Sequence, residues 1–289
     1  MKRILLAVLL LACANAYAQF DFGRALDLGK KVMQAQEGMK DLTPDEEIAL
    51  GESLTAGFLG ASPLHSDANL QRYVNRVGKW LALHSDRPDL PWTFAVIDTE
   101  TINAFAMPGG DVIVSSGLLK RLSSESELAG VLAHEIAHVV KKHQLQAIQS
   151  AAKGDLASSI GKDLAGDAIA RRGGGAAGQA AKTFGAGLAA DLLKDGFFLR
   201  PLDRSMEYEA DQLGVVIATR AGYDPYGLVG ALEMLAQYKG GGDAASIFST
   251  HPPATDRLSE LEKFLPTVER YSSQPQLEGR FKQVVGAAK

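Results

Sequence analysis

The sequence predicts a mainly helical α+β domain with a small, mainly antiparallel sheet, and three patterns predict it. Apolar residues recur at i, i+3, i+4 spacing over residues 67–84 and 124–143, the period of amphipathic helices. Between them, residues 92–116 are rich in β-formers and are interrupted by Pro108-Gly109-Gly110, the mark of short strands joined by a turn. Two further helical stretches follow Asp203, and no internal repeat marks a solenoid.

The first residues read as a targeting segment. Lys2 and Arg3 precede an apolar run over 4–12, and Ala16-Tyr17-Ala18 fits the small-x-small pattern of a cleavage site. Residues 1–18 are therefore expected to leave as a signal peptide, with Gln19 starting the mature chain. Losing Lys2 and Arg3 takes the formal charge from −4 to −6. No dense Lys/Arg cluster occurs, so nucleic acid is not expected as a partner. The single cysteine, Cys13, lies inside the leader. A mature chain without it can form neither disulfides nor cysteine–metal bonds. Leu10-Leu11-Ala12-Cys13 also resembles a lipobox, which would instead anchor the chain by a lipid on Cys13; either route exports it. The most apolar later stretch, 184–199, is interrupted by Asp191, Lys194 and Asp195, so the chain is expected to be soluble, or at most attached to a membrane surface.

The remaining elements follow in order. Residues 19–41 form a polar, mildly amphipathic helical segment, 42–265 the main domain, and 266–289 a polar tail. Thr43-Pro44-Asp45-Glu46 is a helix start, with Thr43 as cap. A helix over 67–84 carries Leu70, Val74, Val77 and Leu81 on one face. A strand over 92–98 precedes a hairpin over 103–116. Ser124-Glu125-Ser126-Glu127 is a capping box, and Lys141, Lys142 and His143 suit the last turn of its helix. Residues 153–196, rich in Ala and Gly, read either as a connection or as a lid over a site. Helices over 203–221 and from Asp224-Pro225 to 238 come next. A Gly-rich loop, His251-Pro252-Pro253 and a short helix to 265 complete the domain.

His134-Glu135-Ile136-Ala137-His138 carries the chemistry. Two histidines four residues apart share one helix face, so both imidazoles can reach one Zn²⁺. Glu135 then points toward the open side of the metal, placed to take a proton from the attacking water. On a helix Glu135 falls beside the apolar arc, where a carboxylate without a partner is costly to desolvate.

A third ligand is needed. On a continuous helix His143 lies roughly 140° around from His138, so it reads as a helix-end residue. The longer pattern with Gly and His at the third and sixth positions after His138 fails, since Lys141 and Gln144 stand there. Downstream, Glu207 and Asp211 share a helix face while Glu209 points elsewhere. One carboxylate could bind the metal while the other holds a ligating imidazole. Taken alone, an ordinary acidic helix surface would look the same.

Four motifs in order remove that ambiguity: Asn103-Ala-Phe-Ala-Met-Pro-Gly-Gly110, Gly117-Leu-Leu119, Glu127-Leu-Ala-Gly-Val-Leu-Ala-His-Glu-Ile-Ala-His138 and Arg204-Ser-Met-Glu-Tyr-Glu-Ala-Asp211. Over 42–265 the chain resembles the metallopeptidase family of the CAAX prenyl protease and the heat-shock protease HtpX, in its soluble periplasmic branch. The resemblance implies a zincin-like (gluzincin) fold and one Zn²⁺ held by His134, His138 and Glu207. It further implies Asp211 as the companion of Glu207 in the same motif, in a site where Glu135 is the catalytic base. Misfolded or stalled envelope proteins are the implied substrates. Asp203 stands where the family often has Ser, which leaves the local detail open. No helical-repeat extension follows the domain, so docking through such repeats is not expected.

Two more expectations follow. In similar periplasmic proteases a His-Pro loop can place its imidazole on the zinc, which makes His251 a candidate removable fourth ligand. Residues Asn103, Ala104, Phe105 and Ala106 could form a sheet edge to which an extended substrate adds. The rival readings are a chaperone or assembly factor that binds unfolded chains without cutting them, and a structural zinc protein with a closed four-ligand site.

Overall fold

The computed structural model describes residues 42–151, 202–238 and 251–288. The expected signal peptide with Cys13, the 19–41 segment, the stretch 153–196 and the loop before His251 lie outside these residues.

Helix α1, Pro44–Ala61, starts at the expected cap: Thr43 Oγ1 accepts from Glu46 N–H at 3.3 Å, and Glu46 Oε2 accepts from Thr43 N–H at 3.0 Å. Helix α2, Ala68–Ala82, is capped by Asp67 and buries Leu70, Val74, Val77 and Leu81. Strands β1 (Thr93–Ile97), β2 (Ala104–Ala106) and β3 (Asp111–Ser115) form one sheet in the order β1-β3-β2.

The class expected, mainly helical with a small sheet, is the one observed. The pairing needs one correction. The hairpin is antiparallel, Ala104 facing Val114 and Ala106 facing Val112, but β1 pairs with β3 in parallel, from Thr93–Asp111 to Ile97–Ser115. The sheet is thus mixed rather than mainly antiparallel. The cause lies in β3, whose Val112, Ile113 and Val114 are all buried. An unbroken apolar run suits a strand covered on both faces, with a neighbour on each side.

The outer edge of β1 is closed by side chains of α2 and, at Ile97, by a backbone bridge to Leu64. Gln71 bonds both backbone groups of Val96, at 2.7 and 2.9 Å, and Asn75 Oδ1 accepts from Phe94 N–H at 3.1 Å. At the hairpin turn Gly109 takes φ 82°, a conformation glycine adopts without a Cβ penalty. Its N–H reaches buried Glu47 at 3.3 Å. Glu47 is also gripped at 2.8 and 2.9 Å by Arg87, which in turn donates to Val139 O at 3.1 Å.

After the short helix α3, Ser116–Leu119, comes α4, Glu125–Val140. Ser124 Oγ accepts from Glu127 N–H at 3.1 Å, while the Glu127 carboxylate takes Ser123 N–H rather than that of Ser124. Almost every residue of α4 is buried, not one face alone. It is surrounded by the sheet, α2, α6 (Arg204–Arg220) and α7 (Gly227–Gln237). Asp203 caps α6 through Ser205 N–H at 2.8 Å, so it fills the position where the related pattern often has Ser. Helix α6 crosses α4 so closely that a Cβ on Gly214 would lie 2.9 Å from His134 N.

Helix α5, His143–Ala151, and α8, Ala254–Phe264, flank this centre. Residues 266–289, read as a polar tail, contain helix α9, Glu278–Val285, whose Phe281 and Val285 join the core. Arg280 of α9 binds Glu125, the first residue of α4, which is fully buried and also accepts from Tyr73 and Tyr223 hydroxyls at 2.8 Å each. Among the described residues no helix is long and apolar enough to cross a membrane.

Candidate metal centre

Helix α4 places His134 and His138 one turn apart, with their Nε2 atoms 3.0 Å from each other. Helix α6 brings Glu207 against them. Glu207 Oε2 lies 3.6 Å from His134 Nε2 and Oε1 lies 3.6 Å from His138 Nε2. All three residues are buried, and Glu207 Oε1 has no hydrogen-bond partner. A buried carboxylate oxygen without a partner, in a carboxylate that faces two ring nitrogens, is costly unless a cation completes it. Two imidazoles and a carboxylate are also the donor set that suits zinc. The residues therefore fit such an ion.

The same two helices bring Asp211 to His134, with Oδ1 at 2.9 Å from Nδ1. Arg257 of α8 grips Asp211 through Nε at 2.9 Å and Nη2 at 2.5 Å. Burial alone would raise the Asp211 carboxyl, but Arg257 and His134 outweigh it and hold its pKa below the ordinary range. Glu207 is likewise held well below that range: burial opposes its charge, while His251, His138 and Arg257 favour it more strongly. Burial pushes His138 down as a base, so it stays neutral and able to offer a lone pair.

Glu135 is 3 % exposed and lines the same cleft as Ala104, Val131, His134 and His251. Burial raises its pKa above the usual carboxylate value, with His134 and His251 pulling the other way. His251 reaches the cluster from the segment before α8. Its Nδ1 lies 2.7 Å from Glu207 Oε2, and its ring centre lies 5.4 Å from that of His134. His134, His138, Glu207 and His251 each offer an atom within 4.8 Å of the others. Ala104 and Ala106 of β2 are buried, Phe105 is half-buried, and Asn103 is buried with its Nδ2 unpartnered among the described residues.

Two features escape a reading of the sequence. One is Arg257. Its signal is a charged residue on the core spacing of α8, between Ala254 and Leu261, all three buried. The other is His143, which stands at the start of α5 rather than in the last turn of α4. Helix α4 stops at Val140, and Lys142 turns the chain with φ 58°. The chain folds back, and His143 Nδ1 lies 3.0 Å from His138 Nδ1.

Fold and cluster together define a metallopeptidase domain: a buried HExxH helix faces a carboxylate pair on a second helix. The chain belongs to peptidase family M48, which it matches over residues 68–265. It is 31% identical to the β-barrel assembly-enhancing protease of Yersinia pestis over 220 residues, 76% of this chain and 44% of that one. It is 33% identical to the mitochondrial metalloendopeptidase OMA1 of Schizosaccharomyces pombe, over 68% of this chain and 53% of that one. With the metalloprotease YcaL of Escherichia coli it shares 28% identity over 88% of this chain and 92% of that one. The chain thus spans about half the length of the first two relatives.

Proposed function

We propose that the chain is a zinc-dependent endopeptidase, exported to the periplasm or secreted, that hydrolyses peptide bonds in misfolded or stalled envelope proteins. The observation that carries this reading is the Glu207 carboxylate, whose orphaned Oε1 faces His138 Nε2 while Oε2 faces His134 Nε2. These three residues would hold one zinc per chain. Zinc there would polarise the scissile carbonyl and acidify the attacking water.

The chain's own residues supply the rest. Glu135, raised as a base by its burial, takes the proton of the attacking water and later passes it to the leaving amine. Asp211 accepts the Nδ1 proton of His134 and keeps Nε2 bare, and Arg257 balances its charge inside the protein. His251, close to Glu207, acts as a removable fourth ligand. The outer side of β2 supplies an edge on which an extended substrate lies, and the unpartnered Asn103 Nδ2 offers it a donor. Relatives named for protease and endopeptidase activity support the same chemistry.

The test compares wild type with Glu135→Gln, measuring zinc content and casein hydrolysis. One zinc in both proteins with hydrolysis only by wild type is expected. Equal hydrolysis by the two would remove Glu135 from the mechanism. Absence of hydrolysis in both, with unfolded casein bound by both, would turn the reading toward a binding protein.

A further inference from the structure

We propose that His143, anchored by Glu209, is a positioning residue of the metal centre: it fixes the proton of His138 on Nδ1 and so aims Nε2 at the ion. This rests on the zinc reading above. His138 projects Nε2 toward His134 and Glu207, and Nδ1 toward His143. An imidazole that gives its Nε2 lone pair to a metal carries its proton on Nδ1. Across the 3.0 Å contact His143 Nδ1 must then accept. The proton of the His143 ring consequently sits on Nε2, which faces Glu209 Oε2 at 3.3 Å. Lys141 holds the other oxygen of Glu209 at 2.7 Å. One assignment of protons satisfies every contact from His138 to Lys141.

The backbone shows that this contact is built. His143 is 1 % exposed. It reaches His138 where Lys142, which lacks the freedom of glycine, adopts a left-handed conformation, one disfavoured for an ordinary residue. The arrangement mirrors the other ligand, where Asp211 takes the Nδ1 proton of His134. Each ligating imidazole thus has its own acceptor, an acid for one and a second imidazole backed by an acid for the other.

The full chain, stripped of metal, is titrated with Zn²⁺ against a chromogenic chelator. His143→Leu should raise the Zn²⁺ Kd about 10- to 100-fold. His143→Asn, whose Oδ1 can stand where Nδ1 stood, should recover most of that loss. Loaded with Co²⁺, the Leu variant should show shifted visible bands and the Asn variant the wild-type spectrum. A filler role predicts the reverse order, since Leu keeps more bulk than Asn. Wild-type affinity in His143→Leu, or equal loss in both variants, overturns the proposal. Should His143→Leu fail to fold, Glu209→Ala decides, since Glu209 is half exposed: it should raise Kd by a smaller factor, and an unchanged Kd overturns the relay. If wild type takes up no Zn²⁺, or His138→Ala binds as tightly as wild type, the zinc reading fails and this inference falls with it.

Discussion

Replacing Gly214 by alanine should loosen the metal centre more than it loosens the fold. A Cβ at this position would stand 2.9 Å from His134 N, 3.0 Å from His134 Cα and 3.2 Å from Ala133 C. These are backbone atoms that cannot swing aside, and carbon contacts settle near 3.5–4.0 Å. Helices α4 and α6 must therefore part by about 0.5–1 Å at that crossing. Overpacking of this kind costs about 1–3 kcal/mol. Alanine returns about 1 kcal/mol through its better helix propensity. The net loss should be about 0–2 kcal/mol, a fall in Tm of at most roughly 8 °C for a domain of this size. Metal ligation is less forgiving, because bond lengths must hold to about 0.2 Å. Glu207 and Asp211 ride on α6, and both histidines on α4, so the gap opens between the ligands themselves. The Zn²⁺ Kd of Gly214→Ala, measured by chelator competition, should rise about tenfold or more, which is about 1.4 kcal/mol. Urea unfolding of the metal-free protein gives the stability. As a control, a Cβ on Gly60 of α1 meets no atom within 4 Å, so Gly60→Ala should be neutral or gain up to about 1 kcal/mol. If Gly214→Ala keeps wild-type Zn²⁺ affinity, the close crossing of the helices does not set ligand geometry.

Other substitutions probe the remaining elements. Phe281→Ala should cost about 3–5 kcal/mol in urea unfolding, because Phe281 is 2 % exposed in the core; a loss below 1 kcal/mol would return 266–289 to the status of a tail. Arg280→Ala leaves Glu125 buried with only two tyrosine hydroxyls. Since the Arg280 side chain is 55% exposed, the cost should be about 1–2 kcal/mol rather than that of a fully buried pair, and no change in denaturation midpoint would contradict it. His251→Ala should raise casein hydrolysis. Its hydrogen bond to Glu207, worth about 1.5–3 kcal/mol when one partner is charged, corresponds to roughly tenfold or more. Unchanged or lower hydrolysis with zinc retained would speak against its role as a removable ligand.

Local patterns were legible where period and caps carry the information. Thr43 and Ser124 cap the helices read from them, the apolar period alone marks the helix that Asp67 caps, and the i, i+4 spacing of His134 and His138 needs no tertiary knowledge. What spacing cannot encode is which distant carboxylate returns to those imidazoles. Glu207 stood apart from an acidic surface only through the motifs around it. His143 falls away from His138 only on one unbroken helix, and Lys142, where the helix breaks, carries no mark of the left-handed turn that Gly or Asn would advertise. Strand order was hidden for a related reason. Alternation names a strand and its faces, not its neighbours, so the parallel pairing of β1 with β3 had only the Val112-Ile113-Val114 run as a hint. Phe281 and Val285, one turn apart, were the overlooked signal in the terminal segment. Arg257 is opaque in the sequence too, because its purpose lies in the contact with Asp211, 46 residues away.

The amides of Gln71 and Asn75 have a consequence for how copies of this protein meet. A sheet with two bare margins can stack without limit, each newcomer offering the next a template. Here one margin is quenched from within, and among the described residues only the far side of β2 is left without a strand. Pairing of two molecules through that side would use up the open strand backbone of the described residues, so association of this sheet by this route ends at a pair.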